Sequence, residues 1–442
     1  MPGPVDTGGA TARPGAPVLL RALGRWDLLA LVINSIIGAG IFGLPAKVHA
    51  LLGAYGLGGI LVCAAIMGLA ILCFAEVASR YSQTGGPYVY AAAAFGPLAG
   101  FLTGWALLVA RVAGFCAITA LLLHYLAYLA PAFDQGIGRI ATATMVVAAL
   151  TAINVVGIRQ AATFGNLVTA AKLAPLLLFV GVGLFHVDWS QMGHAAVPGN
   201  GQFAQGVLLL SFTLVGWESV VVAAGEVRDP QRELPRALLA GLACVALLMA
   251  CIQLVCIGTL PGLAASERPI VDAGATFLGH AGALLLTAAA AASMLGVLHV
   301  TMITITRVAY AMAADGQLPR MLATIHPRFR TPHVAVASCG LLVLALTLSG
   351  QFTYLVTVSA TARLLVYAVT CAALPVLRRK GTVPPARFVL PGGPAIPAAA
   401  LALIAWLLAS SSFAATRDVV ALTVIGALLY AAGQWQRRQS LR

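Results

Sequence analysis

Arg111, Lys172, Glu218 and Arg363 are among the ionisable side chains that stand inside long apolar stretches of this chain. A charge held at bilayer depth is costly and marks a functional position by default. Two stretches of backbone point the same way. The run Asn34-Ser35-Ile36-Ile37-Gly38-Ala39-Gly40-Ile41-Phe42-Gly43-Leu44-Pro45 puts three glycines within six residues and follows them with a proline. Ser211-Phe212-Thr213-Leu214-Val215-Gly216-Trp217-Glu218-Ser219 likewise interrupts an apolar run with a glycine and an acid. Glycine and proline are the residues that most disfavour a helix interior. Main chain released from helical bonding inside a bilayer is tolerated only where it borders a protein-enclosed, wet or ligand-filled space. The chemistry on offer is therefore non-covalent: free N–H and carbonyl groups, with a few charges, around a small polar guest. Gly38-Ala39-Gly40 has an alternative reading as a small-residue seam for close helix packing.

The elements that must carry these residues are membrane helices. The 442-residue chain is 60% apolar and 9% charged, with a mean hydropathy of +0.95, whereas soluble domains run at about 25% charged. Twelve apolar segments can be drawn, near 28–51, 57–79, 96–130, 138–157, 164–186, 203–225, 236–260, 281–312, 334–350, 353–377, 395–414 and 417–436. The third is expected to begin as a surface-lying stretch after Gly85-Gly86-Pro87-Tyr88. Residues 261–279 read as a loop carrying Glu267, Arg268 and Asp272. Residues 1–25 are rich in Gly, Pro, Ala and Thr and read as a disordered tail without the apolar core of a signal peptide.

The net charge of +13 could suggest nucleic acid, but its distribution excludes that reading. With a cytoplasmic N-terminus, most of the 26 lysines and arginines gather on the cytoplasmic side, against Arg139, Arg268 and Arg417 opposite. That bias follows the positive-inside rule and predicts both termini in the cytoplasm. Anionic lipid headgroups are the expected partners of the basic loops, not nucleic acid. All eight cysteines fall in apolar segments and none is spaced for a metal. Neither a metal nor a cofactor is expected. Paired acids, a histidine cluster or a nucleophile–base motif at a membrane surface are not seen in the sequence, which argues against a membrane enzyme.

The two interruptions each sit in the first span of a five-span half, 26–186 and 203–380. Paired broken spans in corresponding positions predict an inverted repeat with a site near mid-membrane. Because five is odd, the second half must run opposite to the first. Residues 394–436 then form two peripheral helices, suited to scaffold or oligomer contacts. The fold class expected is all-α integral membrane: 12 transmembrane helices in a 5+5 inverted repeat, helices 1 and 6 discontinuous.

Ile37-Gly38-Ala39-Gly40-Ile41-Phe42, Gly216-Trp217-Glu218, the run from Glu226 to Arg232, and Arg307 to Pro319 with His326-Pro327-Arg328-Phe329 together resemble the amino acid–polyamine–organocation superfamily of permeases. The resemblance covers about residues 25–380. It implies the leucine-transporter fold, amino acids or close relatives as substrates, and secondary active transport by alternating access. It also places the site residues. A substrate carboxylate would meet the N–H groups of Gly38, Ala39 and Gly40, where a half-helix begins and its dipole favours an anion. An ammonium would meet the carbonyls of Ile36, Ile37, Phe212 and Val215, with Thr213 and Gly216 beside them. Phe212 matches a gating aromatic of the family; the alternative is an ordinary core phenylalanine.

Lys172 matches a lysine that stands, in some sodium-independent relatives, where sodium-driven ones bind a cation. It is expected to bond carbonyls near Ile36 or Gly38 and to lose and regain a proton, which predicts a proton-linked, sodium-independent permease. A permanently charged structural lysine is the competing reading, and an exchanger of amino acids or of an amino acid and its amine is the competing function. Glu218 is expected to hold the second break or to help relay protons. Arg111 and Arg363 are candidates to pair with it or to line the inner pathway. His299 faces the site in relatives but reads more readily as a packing residue. Glu226, Arg228, Asp229 and Arg232 form a candidate cytoplasmic gate. The pocket, polar only at Thr213, Glu218 and His299, favours a neutral amino acid. Short loops point to a bacterial inner membrane.

Overall fold

The computed structural model describes residues 25–440, apart from 82–85, 157–161, 193–196, 223–229, 315, 330, 350 and 382. The expected tail lies outside the described residues except at its last position, as do Glu226, Arg228 and Asp229 of the expected gate. The described chain is helical throughout, with short 3₁₀ turns and no strand. In order the helices are α1 (Arg25–Ile36), α2 (Gly40–Leu52), α3 (Gly56–Ala78), α4 (Pro87–Phe95), α5 (Pro97–Leu126), α6 (Gly136–Val156), α7 (Ala162–Gly183) and α8 (Asn200–Ser211). There follow α9 (Glu218–Val222), α10 (Pro230–Thr259), α11 (Pro269–Ala314), α12 (His333–Ser349), α13 (Phe352–Arg379), α14 (Ala395–Ala409) and α15 (Phe413–Ser440).

Among the described residues seven helical stretches are long and apolar enough to cross a membrane, and three shorter apolar helices join them. This is a multi-pass membrane protein. Two of the twelve segments drawn from hydropathy appear as interrupted spans: α1 and α8 have 12 residues each, short of the about 20 that a crossing helix needs, while α2 runs on through one 3₁₀ turn into α3.

Two local expectations change. The surface-lying start of the third segment is a separate helix, α4, ended by Gly96 at φ +97. The stretch expected to be a loop at 261–279 is largely helical: α11 starts at Pro269 and bends at Gly279, where φ is +67. Pro at a helix start has no N–H to leave unsatisfied. Ser266 donates to Asp272 at 2.6 Å and Arg268 Nε donates to the same carboxylate at 2.9 Å, which pins the first turn.

The core is held by α5, which packs along α13, α4 and α11, while α1 lies against α10. At the end of the bundle where α3 and α13 finish, a buried carboxylate ties the chain together. Glu76 accepts from Arg378 Nε at 2.7 Å and from the Leu390 N–H at 2.7 Å. Arg378 Nη1 also donates to the Gly393 carbonyl at 2.6 Å. At the opposite end Lys47 pairs with Glu267 at 3.0 Å. The outermost helix, α15, rests on α5 and α13; Trp105 Nε1 donates to the Leu422 carbonyl at 2.6 Å. Its other face presents Val420, Val424 and Leu428 outward, as a lipid-facing helix must.

Candidate functional site

α1 ends at Ile36 and α2 begins at Gly40, so the run of glycines does open the helix. Ala39 precedes α2 and no side chain caps it. Its first N–H groups therefore keep the unsatisfied donors and the partial positive charge of a helix N-terminus. In the second interruption α8 closes at Ser211 with tight last-turn bonds, Phe212 N–H to Leu209 and Thr213 N–H to Leu210. The chain then passes through Gly216 at φ +105, a conformation open to glycine at little cost, before α9 starts at Glu218.

The two openings touch each other. Gly216 packs against the main chain of Ser35, and Gly40 against Thr213 so closely that a β-carbon would stand 2.8 Å from the Thr213 Cα. Where they meet lies a cavity of about 460 Å³. Ile36, Gly38, Ala39 and Gly40 line it from the first opening, and Phe212, Val215 and Gly216 from the second. Ile37 and Thr213 are buried beside it without lining it. The Thr213 hydroxyl has no hydrogen-bond partner among the described residues.

Glu218 stands behind the cavity wall and is 3% exposed. Its carboxylate pairs with Arg363 of α13, whose Nη1 donates to Oε1. Oε2 accepts the Gly216 N–H at 2.8 Å and the Tyr367 hydroxyl at 3.1 Å. Arg111 Nη2 of α5 lies 3.9 Å from Oε1. One carboxylate thus fixes the opened backbone to two other helices. Trp217, Phe74 and Tyr367 pack their rings together beneath it, centroids 4.9–5.3 Å apart, within the range of favourable aromatic pairs.

Lys172, on α7, is 4% exposed and lines the cavity. Its Nζ donates to Asn34 Oδ1 at 3.3 Å. The expected carbonyl partners near Ile36 or Gly38 are thus replaced, in the contact seen here, by a side chain one turn earlier. The Asn34 amide is the acceptor that lies within reach of Nζ. Arg111, Arg363 and His299 also line the cavity, and Asn154 and His299 approach at 3.5 Å. Arg232 falls at the start of α10, and its side chain is outside the described set. Among the described residues, no group of three His, Cys, Asp or Glu converges as a metal would require.

Sequence reasoning missed Asn34, Tyr367 and Ser35. Asn34 carried a signal, a lone amide in an apolar span just before the glycines. Tyr367 carried none, since its role depends on how α13 lies against α9.

A family model described as amino acid permease matches residues 23–430. The chain is 27% identical to a methylthioribose transporter of Bacillus subtilis over 97% of this chain and 96% of the relative. It is 28% identical to a serine/threonine exchanger of the same organism, over 92% of this chain and 95% of that one. A branched-chain amino acid permease, also from Bacillus subtilis, is 28% identical over 95% of this chain and 94% of its own length.

Proposed function

Since this chain belongs to the amino acid permease family, we propose that it is a secondary active transporter that carries amino acids by alternating access. The observation that carries this reading is the cavity between the two opened helices, lined by main chain from both and by Lys172. An α-amino acid presents a carboxylate and an ammonium close together, and each needs partners away from water. The uncapped start of α2, at Gly38, Ala39 and Gly40, takes the carboxylate. The carbonyls of Ile36, Ile37, Phe212 and Val215 take the ammonium, with Thr213 and Gly216 shaping the gap. Phe212, whose ring lies 3.7 Å from the β-carbon position of Gly114, is the side chain placed to close over the guest.

Twelve crossings follow if α1 with α2 and α8 with α9 each count as one broken span. Residues 26–186 and 203–380 are then two inverted five-helix repeats, and α14 and α15 the peripheral pair. The distribution of basic residues puts both termini in the cytoplasm of a bacterial inner membrane.

Coupling is assigned to Lys172. Buried against a neutral amide, its nitrogen holds Asn34 less strongly after losing a proton, which would loosen α7 from α1. Transport is then proton-linked and independent of sodium, and Glu218 serves to hold the second opening. Uptake of radiolabelled amino acids into proteoliposomes, with and without an inward proton gradient and with and without sodium, tests this. A sodium requirement, or indifference to the proton gradient, counts against it. Exchange is the second reading, favoured by the likeness to a serine/threonine exchanger. A strict need for internal amino acid would establish it.

A further inference from the structure

The cavity lies to one side of the two openings. Leu31 and Asn34 line it from α1, ahead of the first opening, and Val220 from α9, beyond the second. Gly296 and Thr301 line it from α11, far from that helix's start at Pro269. Among the described residues, none of α2 past Gly40 contributes. On that other side the space is filled. A β-carbon on Gly43 would stand 2.7 Å from a Leu121 methyl and 2.8 Å from the Phe352 ring. The Tyr125 hydroxyl donates to the Phe42 carbonyl at 2.8 Å, and Gln253 Nε2 to the Pro45 carbonyl at 3.1 Å. The α2 side is packed shut.

Over this closed end runs a chain of charges that joins four parts of the fold. Lys47 of α2 pairs with Glu267, just ahead of α11, at 3.0 Å. The other Glu267 oxygen lies 3.8 Å from Nε2 of His124, in the last turn of α5. His124 Nδ1 meets Asp134 Oδ2, and Asp134 Oδ1 accepts from Arg139 Nη1 of α6 at 3.0 Å. Beside it, Arg268 pairs with Asp272 and lies over the Tyr128 ring, whose hydroxyl meets His280 Nδ1 at 3.1 Å.

We propose that Lys47, Glu267, His124, Asp134 and Arg139 form the latch on the outer mouth, and that His124 makes this latch respond to protons. The proposal rests on the alternating access and orientation proposed above. A neutral imidazole has one N–H and one lone pair. With its N–H turned to Asp134, it presents the lone pair to Glu267, and the Lys47 and Arg139 ion pairs stay separate. A charged imidazole donates from both nitrogens and ties the two carboxylates together, linking α2, α5, α6 and the approach to α11. The outer mouth opens only when α2 shifts away from its neighbours, so a proton on His124 holds it shut. Histidine changes charge between about pH 5 and 8; acid outside therefore slows the outward-opening step, and a neutral medium releases it. Lys172 sits apart, in the cavity itself, so this control is separate from coupling.

The test places spin labels at Ala50→Cys and Gln135→Cys, exposed positions that flank the latch. The full-length protein carries Cys244→Ala and Cys251→Ala, which remove the cysteines that are not buried. Label separations are measured in liposomes at about pH 5.5 and about pH 7.5, equal on both sides. A short separation is expected to dominate in acid. A longer one is expected to gain about twofold to fivefold in population at neutral pH, the scale of an exposed ion pair. His124→Gln is expected to give one distribution at both pH values, and Glu267→Gln to raise the longer population at both. A wild-type distribution indifferent to pH, or a pH shift that survives in His124→Gln, would overturn the proposal. Wild-type populations in Glu267→Gln would overturn it too, which keeps the test decisive should His124→Gln fail to fold. Uptake of the common protein amino acids is measured in the same liposomes. Separations that shift as expected while none of these is carried would uphold the latch and overturn only the amino acid reading.

Discussion

Gly216 and Ser35 meet through bare main chain: a β-carbon on Gly216 would lie 2.1 Å from the Ser35 carbonyl oxygen. Side by side at this point, the two opened helices leave no room for a side chain. Gly216→Ala is expected to lose transport and to lower stability by at least about 1–3 kcal/mol, since the alanine also inherits a positive φ. Thermal unfolding in detergent and uptake in proteoliposomes measure the two effects. Wild-type behaviour in both would show that the openings are not in contact during the cycle.

Lys172→Met keeps the length of the side chain and removes the proton-carrying nitrogen. The expected outcome is loss of stimulation by a proton gradient, by about tenfold or more, with the protein still folded. Asn34→Leu removes the partner of the same ammonium and is expected to alter the pH dependence of uptake in the same assay. Gradient-driven uptake that persists in Lys172→Met would move coupling to another group.

Glu218→Gln removes the charge that Arg363 pairs with. A buried guanidinium left without its carboxylate costs about 3–5 kcal/mol, so the melting temperature should drop sharply. Tyr367→Phe deletes one hydrogen bond to the same carboxylate and should cost less, about 1.5–3 kcal/mol. Equal losses in the two variants would mean that the ion pair contributes little beyond the hydroxyl.

Glu76→Gln breaks the tie between α3, α13 and the segment leading to α14. Lower thermal stability is expected, with substrate affinity of the folded fraction unchanged, because Glu76 is no part of the cavity lining. A changed affinity at unchanged stability would instead couple this end of the bundle to the site.

Much of this was legible from residue order because membranes impose simple rules. Long apolar runs have few ways to satisfy their backbone, so hydropathy located the helices to within a few residues, as at α3, α6 and α12. Glycine and proline at 38, 40, 43 and 45 announced the first opening, and Gly216 the second, since each removes helical preference locally. The helical start of α11 at Pro269 was not legible. It depends on Ser266, Arg268 and Asp272 closing on one another, and charged residues near a proline read equally well as a loop.

By itself, then, the chain determined that this is a membrane protein of many helices, where two of them open, and which charges are buried. Those are consequences of local composition and of the bilayer's intolerance of bare polar groups. Only the tertiary structure decided that the openings touch, that Arg363 and Tyr367 of α13 close on Glu218, that Lys172 faces Asn34, and that three bases share one cavity. These pairs lie on different helices far apart in the chain, and their meeting is set by how side chains pack across helix faces. No local pattern encodes that packing.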